Sequence, residues 1–174
     1  PDGRRAIVAL LLPGDFCDLH VTILNHMDHS IAALTDCEVT RVSEAEMEEM
    51  LFSHPSINRA CLWATLVDEA ILREWLVNVG RRTADKQLAH LFCELYVRLD
   101  AVGLTTDHSF RMPFTQVTLG DLLGVSPVHV QRAMSALHER ELIVLQDKSI
   151  RLPDFPAIAA LGEFDPAYLH LDAL

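Results

Sequence analysis

The stretch TLGDLLGVSPVHVQRAMSAL, residues 118–137, decides the fold. Thr118 is a helix-capping residue type, and the apolar residues of 119–123 fall on one side of a short helix. Gly124 supplies the left-handed conformation that a tight inter-helix turn needs, and Val125 places an apolar side chain in that turn. Ser126 then caps a second helix over 127–140, with Pro127 at its first position. Helical periodicity turns Val130, Met134 and Leu137 inward and Val128, Gln131, Arg132 and Ser135 outward. Beyond it, 142–145 and 149–152 are two short strands joined at Gln146-Asp147-Lys148, a hairpin with Lys148 at its tip.

A helix that presents polar side chains along its N-terminal half while its other face packs on a domain is built to enter a nucleic-acid groove. The hairpin is then a wing whose Lys148 meets a phosphate. We therefore expect a winged helix-turn-helix over 115–152 and double-stranded DNA as its partner. The formal net charge of −11 opposes phosphate binding. Its distribution removes the objection: residues 1–104 hold 16 acids and 9 bases, whereas 105–155 hold 6 acids and 5 bases. The near-neutral module binds DNA if Arg132, Arg140, Lys148 and Arg151 face one way.

Upstream, Thr83 caps a helix over about 84–100, and 103–113 is a polar loop. Gly80-Arg81-Arg82-Thr83 breaks the chain ahead of that helix and is a hinge candidate. Before it lies the longest helical signal, starting at Ser53 or His54 with Pro55 in the first turn and running to about Val79. Ala60, Ala64, Val67, Ile71 and Trp75 form one apolar stripe; Leu62, Leu66, Leu72, Leu76 and Val79 form another. A helix apolar on two faces needs two partners. One is a β structure and the other is the same helix of a second subunit, with the first stripe as its seam. Burial of both faces within one monomer is the alternative. Ser43 and Glu46 make a capping box for a helix over 44–52. The apolar run 5–12, ended by Pro13-Gly14-Asp15, and the stretch 30–42 are expected strands of an antiparallel β structure. A short helix around 157–161 and a tail close the chain.

The fold class is thus α+β: an antiparallel β structure (1–52), which the family resemblance given below makes part of a β-roll, a long dimerisation helix with its hinge (53–80), the winged helix-turn-helix domain (81–152), and a C-terminal helix and tail (153–174). The apolar runs are far shorter than the roughly 20 residues of a membrane span, no cleavable leader opens the chain, and the cytoplasm is expected. Cys17, Cys37, Cys61 and Cys93 have no C-x-x-C spacing and read as free thiols. No nucleophile elbow, phosphate loop or H-E-x-x-H spacing is present, so no enzyme is expected and no catalytic residue is named. His20, His26 and His29 beside Asp18 or Asp28 lack an i, i+4 pair on a helix and are read as ordinary histidines, not as metal ligands.

The run 118–137 resembles the DNA-binding domain of the Crp/Fnr superfamily of bacterial transcription regulators. The resemblance implies that Arg132 contacts a base, that Val128 and Gln131 occupy reading positions beside Ser135, and that Ser126 and His129 touch phosphate. It extends upstream: Leu10-Leu-Leu-Pro-Gly-Asp-Phe16 is similar to the strand and turn before the family's phosphate-binding cassette, and 53–79 to its dimerisation helix. Homodimerisation, RNA polymerase as a partner and a small-molecule effector follow as implications. Asp18, His29, Ser30, Leu72 and Arg73 stand where the effector pocket would be. Cyclic AMP is not expected there. Cyclic-nucleotide-binding members have Gly-Glu where this chain has Cys17-Asp18, and Arg-Ser where it has His29-Ser30; an imidazole cannot reproduce a bidentate arginine grip on phosphate. No iron-sulfur ligand set is present, and no cofactor is identified. The resemblance also implies a further half of the roll ahead of Pro1, whose absence would leave sheet edges exposed. The alternative function is a ligand-binding or protein-interaction module whose winged helix no longer reads DNA.

Overall fold

A computed structural model describes residues 5–19, 21–24 and 26–171. The elements in order are α1 (Val21–Leu24), α2 (Glu44–Ser53), α3 (Pro55–Arg81), α4 (Ala84–Ala101), β1 (Thr105–Thr106), β2 (Ser109–Arg111), α5 (Gln116–Leu123), α6 (Pro127–Glu139), β3 (Val144–Gln146), β4 (Ser149–Arg151), α7 (Phe155–Gly162) and a 3-10 helix, Pro166–Leu169. This is the α+β class that the sequence indicates.

Local chemistry sets the element ends. The capping box forms in full at α2: Ser43 Oγ accepts from the Glu46 amide at 3.3 Å, and the Glu46 carboxylate accepts from the Ser43 amide at 2.9 Å. Pro55 opens α3, while His54 precedes it without a side-chain cap. Gly80 does not break α3. It lies inside the helix with open space around it, and the chain turns extended only at Arg82 (φ −88°, ψ 149°).

The strands form one antiparallel sheet in the order β1-β2-β4-β3. Ser109-Phe110-Arg111 lies against Ser149-Ile150-Arg151 with Phe110 opposite Ile150, so both apolar side chains face the core and the polar ones face out. The expected polar loop over 103–113 is therefore partly a hairpin. Its turn residues Asp107 and His108 have φ of 49° and 57°, and the wing turn at Asp147 and Lys148 has 48° and 62°. Two successive left-handed residues match the twist of a tight hairpin.

The core centres on α4, whose Leu88, Ala89, Phe92, Cys93 and Leu95 are buried. They pack with Leu119 and Leu122 of α5, Val130 and Leu137 of α6, Phe110 and Ile150 of the sheet, and Ile158 of α7. Burial pushes the Cys93 thiol up to about 12, which makes it an inert core group.

Upstream the sequence reading needs correction. Residues 5–12 and 30–42 form no strand: they run as irregular chain, and 30–42 is exposed throughout. A strand needs a paired edge, and an apolar run supplies only side chains that want burial. The first segment finds burial elsewhere. The Ile7 amide donates to the Asp121 carbonyl at 3.0 Å, Arg5 pairs with the Asp121 carboxylate at 2.8 Å, and Leu10 enters the core.

Candidate nucleic-acid interface

The first helix of the motif begins three residues earlier than expected. Thr115, not Thr118, is the N-cap of α5: its hydroxyl accepts from the Thr118 amide at 3.0 Å, and Thr118 is buried within the helix. Gly124 ends α5 in the left-handed region (φ 68°, ψ 24°), as the turn requires. Gly120 has a separate role, since a Cβ there would lie 2.7 Å from the Val125 carbonyl oxygen. The absence of a side chain at 120 lets the turn fold back against α5.

Ser126 caps α6 and Pro127 opens it. Val130, Ala133 and Leu137 are buried, with Met134 partly so, which fixes the helix on the core. Val128, Gln131, Arg132 and Ser135 are exposed on the opposite side and share an arc of roughly 100° at 3.6 residues per turn. Arg132 makes no hydrogen bond or ion pair among the described residues, so its guanidinium is available to a ligand. Ser126 Oγ lies 2.7 Å from His129 Nδ1 and accepts weakly from the His129 amide at 3.4 Å. Both side chains sit at the N-terminal end of α6, where free amides and the helix dipole favour an anion.

Lys148 is exposed at the tip of the β3–β4 turn. Arg151 and Arg111 project from the outward face of the sheet. The sequence reading missed Arg111 because it placed that residue in a loop. The signal was the matching alternation of Ser-Phe-Arg and Ser-Ile-Arg, 109–111 and 149–151.

The other named residues divide. Trp75, expected at a subunit seam, is buried, and its Nε1–H donates to both oxygens of Glu94 at 3.1 and 3.0 Å. Ile71 packs partly against the core; Val67 and Ala64 are half-buried and Ala60 is exposed. The second stripe is the open one: Leu62, Leu66 and Leu76 are 58%, 52% and 70% exposed. Trp75 faces inward because an indole N–H placed in a core needs a partner, and Glu94 supplies one.

No hydrogen bond or ion pair joins any two of the five effector-pocket candidates. Asp18, Ser30 and Leu72 are exposed, His29 pairs with Asp28 at 2.8 Å, and Arg73 pairs with Glu69 at 3.0 Å. Among the described residues no three His, Cys, Asp or Glu side chains gather as metal ligands, and no helix is long and apolar enough to cross a membrane. His20 lies outside the described residues.

A tri-helical core, a capped helix-turn-helix and a two-stranded wing define the class as a winged helix-turn-helix protein. Residues 86–161 match the model of the Crp-like helix-turn-helix domain. The transcriptional activator protein FnrL of Cereibacter sphaeroides is 31% identical over 150 residues, which cover 84% of this chain and 60% of that protein. The nitrogen fixation regulation protein FixK of Bradyrhizobium diazoefficiens is 27% identical over 163 residues, covering 93% of this chain and 67% of that one. The structure of FixK2 from Bradyrhizobium japonicum superimposes with a TM-score of 0.61 at 21% identity, over 69% of this chain and 59% of FixK2. This chain carries a Crp-like helix-turn-helix domain and is similar to regulators of the Crp/Fnr superfamily. It spans about three fifths to two thirds of the length of these two relatives, whose names are those of regulators and not of enzymes.

Proposed function

We propose that the protein is a sequence-specific DNA-binding transcription regulator of Crp/Fnr type that acts as a homodimer. The observation that carries this reading is the exposed face of α6, where an unengaged Arg132 stands among Val128, Gln131 and Ser135 on a helix anchored by Val130 and Leu137. A guanidinium so placed can donate two hydrogen bonds to O6 and N7 of a guanine in the major groove. Ser126 and His129 at the helix start, with Lys148, Arg111 and Arg151 on the wing and sheet, contact phosphates and set the register. Two copies pair along α3 through Leu62, Leu66 and Leu76, and so present two reading helices to successive major grooves. The dimer works in the cytoplasm, engages RNA polymerase and answers an unidentified signal that is not cyclic AMP.

Selection from random DNA followed by footprinting tests this reading. The expected site is two-fold symmetric, with half-site centres about 34 Å apart, and affinity falls linearly on a log–log plot against salt because phosphate-bound counterions are released. Enrichment of no sequence, or binding indifferent to salt, would favour a module that does not read DNA.

A further inference from the structure

The junction between α3 and α4 is held by polar side chains drawn from three separate elements. Only Arg82 and Thr83 link the helices, and both are extended, with ψ of 149° and 159°. Such a link permits rigid-body reorientation through small torsional changes. Across it, Asn78 Nδ2 donates to the Gln87 carbonyl at 3.3 Å and Gln87 Nε2 donates to the Asn78 carbonyl at 3.1 Å. Arg82 donates to Glu74 at 2.7 Å and to the Glu163 carbonyl at 3.3 Å.

The centre of the junction is Glu94, which has no exposed surface. Burying a carboxyl group is costly unless its oxygens are satisfied. Trp75 of α3 supplies its indole N–H, Arg98 donates at 3.1 Å, and the Tyr168 hydroxyl of the C-terminal 3-10 helix donates at 2.8 Å. Burial and the Glu94 charge push the Tyr168 phenol far above the usual tyrosine range, so its proton stays in place. His90 completes the seat. Its Nδ1 lies 3.1 Å from the Gly162 carbonyl, which only accepts, and its Nε2 lies 3.2 Å from the Tyr168 hydroxyl. Burial and the Arg82 charge hold the imidazole below its ordinary range.

Among the described residues, the buried side-chain atoms without a hydrogen-bond partner are Arg82 Nε and Gln87 Oε1, and both are at this junction. An interior that is incomplete there is easiest to open there. We propose that Trp75, Glu94 and Tyr168 form a latch through which the docked C-terminal 3-10 helix fixes the angle between α3 and the DNA-binding unit. In the dimer, that angle sets the distance between the two α6 helices.

The latch rests on the dimeric DNA-reading function proposed above, and its test separates the two. Full-length wild type and Tyr168→Phe, which removes only the hydroxyl, are titrated with the selected operator. The duplex series comprises a single half-site and paired half-sites whose spacing is shifted by one or two base pairs either way. Wild type should prefer its best spacing on the order of tenfold, within the range of ordinary coupling between sites. Tyr168→Phe should bind the single half-site like wild type and lose most of that spacing preference. A variant that merely weakened the fold would lower affinity for every duplex alike. Trp75→Phe breaks the same latch from the α3 side and stands in if the first variant does not fold. Retained spacing preference in a folded variant, a flat spacing profile in wild type, or failure of both variants to fold would overturn the latch. Wild type that binds no DNA would instead overturn the functional reading beneath it.

Discussion

Gly162→Ala should destabilise the protein by about 3 kcal/mol, the upper end of ordinary overpacking, and lower Tm by roughly 6 to 12 °C. A Cβ at 162 would lie 2.6 Å from the His90 amide nitrogen and 2.9 Å from both the Ala89 carbonyl carbon and the His90 Cα. All three atoms are backbone in the middle of α4, so no side chain can rotate away. α7 and α4 would have to separate, loosening the packing of Ile158 and Phe92 between them. Gly80→Ala supplies the internal control. Nothing lies within 4 Å of a Cβ there and the residue is helical, so alanine should stabilise by about 0.5 to 1 kcal/mol through helix propensity alone. Thermal melts of the two variants should move in opposite directions. A Gly162→Ala protein that melts with wild type would mean that α7 does not sit on α4 as described.

Leu66→Asp should convert a dimer into a monomer while leaving the chain folded. Leu66 is 52% exposed and Leu76 70%, so each is spare to the monomer and central to the proposed seam. A carboxylate buried without a partner at that seam costs about 4 kcal/mol, which raises the dimer Kd roughly a thousandfold. Ile71→Asp is the contrasting variant: Ile71 packs against the core of its own chain, away from the seam, and should lower Tm. Sedimentation at tens of micromolar decides the matter. Wild type that sediments as a monomer, or a Leu66→Asp variant that stays dimeric, would remove α3's exposed stripe as the interface.

The helix-turn-helix could be read from the sequence because each step carries its own short-range chemistry. Gly124, Ser126 and Pro127 dictate their conformations whatever surrounds them, and α6 shows its buried and exposed faces in its spacing. Where two signals compete, the reading slips. Thr115 and Thr118 can each cap a helix, and only the packed structure buries Thr118 and leaves the cap to Thr115. The β1–β2 hairpin was missed because Asp107 and His108 take left-handed conformations without a glycine to advertise them.

The α3 seam shows a different limit. Both stripes are apolar, and periodicity alone does not say which meets the chain's own core. Glu94, 19 residues downstream of Trp75, settles it by giving the indole a partner. The N-terminal strands failed for a related reason. Ile7 and Leu10 are apolar enough for a sheet, but within the described residues their burial comes from the DNA-binding unit and no strand pairs with them. The effector candidates came from a resemblance to a folded pocket, and no bond in the structure joins any two of the five.

Arg132→Ala, measured against the selected operator and its single-base variants at several salt concentrations, tests the central claim most directly. Alanine is the better helix former, and Arg132 is exposed, so the variant should fold. The account predicts a loss of about 1 to 3 kcal/mol per half-site with relaxed preference at one base pair, whereas Lys148→Ala should weaken all sequences alike and reduce the salt slope by about one. An Arg132→Ala protein that is folded and keeps full affinity and base preference would show that α6 is not the reader, and would contradict the assignment to a DNA-binding regulator.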